Sequence, residues 1–216
     1  MDVDKLPIVF CANNPGTANC LDREFPGRLG VLLTPGHWKH PGNVPFVLDN
    51  GRYSTWSSSK AWDEDQYIDF LNLACDVGVD PDWIVVPDVV KDGEGTLKEW
   101  ELWYDRLEGY GWKMALAVQD GMTVDDVLGL NDQPDLIFIG GSTEWKWRTA
   151  KQWAGSFDRV HIGRVATVKR LWMTQRAGAE SSDSNIWRPI GGHLDNLRRY
   201  LEESEKRIPE SRGFGF

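Results

Sequence analysis

The chain has 216 residues, 41% of them hydrophobic and 26% charged, which suits one large globular domain and excludes a disordered chain. Its net charge of −9 argues against a generic nucleic-acid binder, and no apolar run reaches the ~18 residues a membrane span needs. Three scattered cysteines (Cys11, Cys20, Cys75) exclude a disulfide framework or a paired-cysteine zinc site; with the acidic start of the chain, they lead us to expect a cytoplasmic protein.

In chain order, residues 7–11 (PIVFC) predict a short strand, and residues 12–28, rich in Asn, Gly and Pro, a loop with at most one helical turn. A second strand covers 29–33, and the loop after it carries His37, Trp38 and His40. The third strand, 45–49, ends on Asp49. Asn50-Gly51 then predicts a tight reversal that sets Tyr53 beside Asp49. A long Ser-rich connection leads to a helix over 63–77 with Tyr67, Phe70, Leu71 and Ala74 on one face. The fourth strand, 83–88, ends on Asp88. Thr96 is the expected N-cap of a helix running to about Gly109, with Glu99 completing a capping box.

A fifth strand, 114–118, ends in Gln119-Asp120-Gly121, and Thr123 opens a short helix. The sixth, 134–141, ends in Gly140-Gly141 and precedes a helix over 144–154. The seventh, 159–162, ends in Gly163-Arg164 and precedes a helix over 167–176. Residues 178–183 form a short eighth strand ending on Asp183. A helix over 193–207 closes the chain, and 211–216 read as a loose tail. Eight strands interleaved with helices predict an α/β fold, a single (β/α)8 TIM-like barrel over residues 1–210. A doubly wound open sheet is the alternative, but no G-x-G-x-x-G follows the first strand.

Barrel closure brings strand ends to one mouth, so the polar groups there are the candidate site. Asp88 suits the N1–H and amine edge of a guanine-like ring, and Gln119 can donate and accept. The backbone N–H groups of Gly140 and Gly141 are expected to approach a ring carbonyl, and Tyr53 to supply a stacking face. Asp49 and Asp183 form the carboxylate pair that attack at an anomeric carbon requires, one as nucleophile and one managing the proton. Residues 141–176 carry eight Lys or Arg against two acids, a local excess of +6 in an acidic chain. From that window Lys146, Arg148, Arg164, Lys169 and Arg170 are the expected contacts to a nucleic-acid backbone. Of twelve tryptophans, Trp100 and Trp103 fall at helical spacing and read as core. Trp56, Trp145, Trp147 and Trp187 fall in or near expected loops, where stacking on a base is open to them.

These segments, in this order, resemble the tRNA-guanine transglycosylase superfamily. They are most similar to its short members that insert 7-deazaguanine bases into DNA, found in bacteriophages and bacterial islands. The resemblance covers about residues 46–190. Asp49-Asn50-Gly51-Arg52-Tyr53 resembles the family's Asp-Ser-Gly-Gly-Tyr block, which implies that Asp49 is a general acid/base and Tyr53 a base-stacking ring. Val86-Pro87-Asp88 and Val118-Gln119-Asp120-Gly121 are similar to its base-recognising segments. Gly140-Gly141 is similar to the stretch whose backbone contacts the purine, with Glu144 near the 7-substituent. Val160-His161-Ile162-Gly163 resembles the strand whose apolar residue, here Ile162, covers the other face of the base. Ala177 through Asp183 resembles the block ending in the nucleophile, Asp183.

The family's cysteine-rich zinc subdomain is missing and the chain is shorter than the tRNA enzymes, both of which favour DNA over tRNA. Arg52 stands where the family has glycine, so the base pocket is expected to differ in shape. The resemblance implies base exchange between DNA and a free 7-deazaguanine such as preQ0, with no cofactor, metal or membrane partner; a homodimer is left open. The rival expectations are exchange on tRNA, a metal-dependent hydrolase using His37, His40, Asp49 and Asp88, and a silent base-binding or nucleic-acid-binding subunit.

Overall fold

The computed structural model describes residues 6–189 and 191–206. Eight parallel strands close in chain order: β1 (Ile8–Ala12), β2 (Leu29–Leu33), β3 (Phe46–Leu48), β4 (Ile84–Val85), β5 (Met114–Val118), β6 (Leu136–Ile139), β7 (Val160–Ile162) and β8 (Ser181–Ser184). The last strand pairs back onto the first, with Phe10 opposite Asp183. The helices are α1 (Pro15–Asp22), α2 (Arg52–Ser57), α3 (Glu64–Asp76), α4 (Gly93–Glu108), α5 (Val124–Leu128), α6 (Thr143–Ser156), α7 (Val168–Ala177) and α8 (His193–Lys206). The expected (β/α)8 barrel is therefore the fold. The expected tail, 211–216, lies outside the described residues. No helix among the described residues is long and apolar enough to cross a membrane.

The pleat of each strand sorts its side chains between two cores. Outward residues such as Val9, Val31, Leu116 and Ile137 pack beneath the helices, against Tyr67 and Leu71 of α3 and Trp100, Trp103 and Leu107 of α4. Inward residues, among them Phe10, Leu32, Val47, Trp83 and Phe138, fill the barrel. Phe10, Trp83 and Phe138 also surround the buried ring of His161, with Phe138 stacked on it at 4.7 Å and Trp83 edge-on at 5.1 Å. Gly163 follows from this packing, because a Cβ there would lie 2.6 Å from the Phe138 ring. Removing the fully buried Trp83 ring would open a void costing about 3–5 kcal/mol.

Three local expectations are corrected. Residues 12–28 hold a two-turn helix, α1, whose N-cap Asn14 accepts from Thr17 N and is followed at once by Pro15. The connection after β3 contains α2, entered through Gly51 in the left-handed region (φ 76°), which only glycine adopts without strain. Helix α4 starts earlier than Thr96, because the Asp92 carboxylate caps it by accepting from Gly95 N at 3.0 Å. Thr96 is buried inside the helix, and Glu99 turns to Arg52 and Trp103 instead of closing a capping box. Thr123 opens α5 as expected, as a full capping box with Asp126, and Thr167, expected as the first residue of its helix, is the N-cap of α7.

Candidate active site

At the carboxyl ends of the strands a cavity of about 340 Å3 opens. It gathers Asp49, Tyr53, Asp88, Gln119, Arg164 and Asp183, which enter from five different strand ends. Small inward residues, Ala12 and Ala117, line it above the aromatic layer, so the room exists because the upper positions of the barrel are not filled.

Asp88 is the centre of one wall. Its two oxygens accept from Asn50 Nδ2 (2.8 Å) and Gln119 Nε2 (2.6 Å). Gln119 Oε1 in turn accepts from Lys91 N (2.9 Å) and Gly141 N (2.8 Å), and Asn50 also donates to Val86 O. Asn50 and Gln119 are almost fully buried, so this network is fixed before anything binds. Burial raises the Asp88 carboxyl to about 6, against the bond from Asn50 and the charges of Arg52 and Arg164.

Asp49 and Asp183 make the other wall, and each keeps an oxygen that accepts nothing from the described residues. Asp49 Oδ1 accepts from Gly51 N at 2.6 Å. Burial raises its carboxyl to about 7; the Gly51 bond opposes this, and the Asp183 and Asp88 charges add to it. That value suits a group that must both give and take a proton near neutrality. Asp183 Oδ1 accepts from His161 Nε2 at 3.0 Å and from Arg164 N at 3.1 Å, leaving Oδ2 without a partner among the described residues. The other ring nitrogen of His161, Nδ1, is hydrogen-bonded to the Ser181 hydroxyl at 2.9 Å, so both ring nitrogens are engaged and the ring is fixed against Asp183. His161 escaped the sequence reading, yet it was legible there: it is the one polar residue in a three-residue strand, on the opposite face to Val160 and Ile162.

Arg164 also departs from its expected role. It holds left-handed backbone (φ 59°), donates to Gly141 O and stacks over the Tyr53 ring at 4.0 Å. It lines the cavity, with its guanidinium engaged by Gly141 O and the Tyr53 face. Lys146 is buried and donates to Gly163 O, and burial lowers its ammonium to about 7, helped by the Arg164 charge. It cannot reach a nucleic-acid backbone. Arg148 and Lys169 are exposed and Arg170 half-buried, on α6 and α7. Arg52, expected to reshape the pocket, pairs with Glu99 at 3.0 Å and stacks on Trp62 at 3.9 Å, away from the cavity.

Further expectations do not survive the geometry. Ile162 faces the helices in the outer core, because the pleat that turns His161 inward turns its neighbour out. Gly140 and Gly141 reach the cavity, but their N–H groups are taken by Val118 O (3.0 Å) and Gln119 Oε1. Glu144 is exposed on the first turn of α6 and does not line the cavity. Trp145 and Trp187 are buried in the outer core, and Trp147 is half-buried on α6; Trp56 alone of the four is exposed, at 47%. His37 and His40 are exposed and bonded locally, and among the described residues no three His, Cys, Asp or Glu side chains converge as a metal site. The metal-hydrolase set therefore does not assemble.

No protein-family model matches the chain. No curated protein matches it.

Proposed function

We propose that the protein is a transglycosylase that exchanges guanine in DNA for a 7-deazaguanine base through a covalent Asp183–sugar ester. The observation that carries the proposal is the pairing at one mouth of Asp183, held by His161 with one oxygen unpartnered among the described residues, and Asp49, raised to about 7. The resemblance of the strand-end segments to the transglycosylase superfamily supports it from the sequence side. The target base must leave the stack for its sugar carbon to be reached.

Asp183 Oδ2 attacks C1′ and the C1′–N9 bond breaks, its electron pair passing to the guanine. Protonated Asp49 gives its proton to that leaving base. The incoming base then loses its proton to the Asp49 carboxylate, attacks C1′, and returns the ester electron pair to Asp183. Protons and charge balance over the cycle without a further reactant. Asp88 offers acceptors to the base edge, oriented by Asn50 and Gln119, and Tyr53 supplies a ring face once Arg164 withdraws or slides across it. His161 acts through Asp183 as a positioning residue, fixing which oxygen is presented.

The test is incubation of the protein with labelled guanine and either DNA or tRNA. Label appearing in DNA, with a trapped protein–DNA adduct at Asp183, is the expected result. Label in tRNA alone would move the substrate to RNA. Absence of label and adduct with both, from a protein that still binds guanine, would leave a silent base-binding subunit.

A further inference from the structure

Helix α2 has no buried residue, so packing against the core does not explain its side chains. It presents Tyr53 (40% exposed) and Trp56 (47% exposed), three positions apart and therefore on one face. Their ring centroids lie 5.8 Å apart with planes at 34°. A cation sits on each ring: Arg164 on Tyr53, and the Lys91 ammonium 4.8 Å from the centre of Trp56. The strip starts inside the cavity at Tyr53 and runs outward to Trp56. Lys91 is tied to the base-recognising wall, since its N–H donates to Gln119 Oε1, and it holds left-handed backbone (φ 65°) to do so.

We infer that Trp56 with Lys91 is a stacking subsite for the nucleotide beside the one in the cavity, on a single strand of nucleic acid. Exposed aromatic faces carrying cations meet both parts of a nucleotide: the ring stacks on a base and the ammonium reaches the phosphate that follows. Continuity with the cavity fixes the order, because a strand with one base in the cavity must pass its neighbour over the adjoining rim. The cations matter more in a chain of net charge −9, where an anion finds few attractive surfaces. The subsite rests on the exchange reading for which base enters the cavity, and on nothing else from it.

The experiment measures binding of a fluorescein-labelled five-nucleotide strand with a central guanine, as DNA and as RNA, by anisotropy. Calorimetry with free guanine runs on the same proteins. Trp56→Ala should weaken the better-bound strand by about 5- to 100-fold while guanine affinity and the melting temperature stay at wild-type values. Lys91→Ala should weaken it less and reduce the salt slope of log Kd by about one. Equal strand affinity in wild type and Trp56→Ala overturns the subsite, as does a wild-type protein that binds guanine but neither strand. A change from dimer to monomer in Trp56→Ala by sedimentation would assign the patch to a second copy of the chain and overturn it too. Trp56-dependent strand binding without guanine binding would keep the subsite and remove the exchange reading. The reverse pattern keeps the exchange reading and removes the subsite.

Discussion

The two walls of the cavity are built on opposite plans. Around Asp88 both carboxylate oxygens, both Asn50 donor contacts and the Gln119 oxygen are engaged within the protein. Around Asp49 and Asp183 one oxygen of each accepts nothing from the described residues, although both acids are set back from solvent. A network with a partner on every oxygen holds a shape and still has lone pairs to offer, whereas a carboxylate oxygen with no partner in a low-dielectric pocket is reactive toward protons and carbon centres. One wall is suited to recognising a ring and the other to changing it.

The sharpest way to break the comparison is at the reacting wall. Asp183→Ala should lower exchange by about 10^4-fold or more, while guanine binding, read by calorimetry, survives. Asp49→Asn should lower it by about 10^2- to 10^4-fold and remove the limb of the pH–rate profile near 7.

The same substitution has a stability signature. The folded chain holds the Asp49 proton up to about 7 and the unfolded chain releases it near the ordinary 3.8, so wild-type stability falls as pH rises between those values. Asp49→Asn should flatten that fall and be more stable at pH 8 by on the order of 1–3 kcal/mol in urea unfolding.

At the recognising wall, Gln119→Leu strips partners from Asp88, Lys91 N and Gly141 N at once. It should cost about 1–3 kcal/mol of stability and weaken guanine binding without shifting the pH–rate limb. The smallest effect is expected behind the walls, at Lys146. Its folded value of about 7 lies below the ordinary 10.5, so the unfolded chain binds more protons between them and wild-type stability rises with pH across that window. Lys146→Met should flatten the rise by on the order of 1 kcal/mol, seen in melts from pH 7 to 10.

The barrel itself was legible because apolar runs ending in polar or glycine residues recur seven times between helical segments, with the short polar segment 178–183 completing the alternation, and Asp49, Asp88, Gln119 and Asp183 were legible as strand ends. What escaped was phase and partnership. Ile162 and His161 are adjacent, and only the pleat decides which one looks inward. Lys146 was counted by charge, although Ala150 and Trp153, four and seven positions on, place it on the buried face of α6. The N–H groups of Gly140 and Gly141 read as free because one of their acceptors is a side chain 22 residues away. Helix α2 escaped because nothing in it is buried, so it has no apolar stripe to detect.

The aromatic layer of Phe10, Trp83, Phe138 and His161 floors the barrel beneath the cavity, so among the described residues the cavity is a well that opens at the carboxyl ends of the strands. Under base exchange, the outgoing guanine must leave through that opening before its replacement comes in by it. Steady-state kinetics would then follow a double-displacement pattern, with parallel lines in reciprocal plots, and free guanine would compete directly against the incoming base.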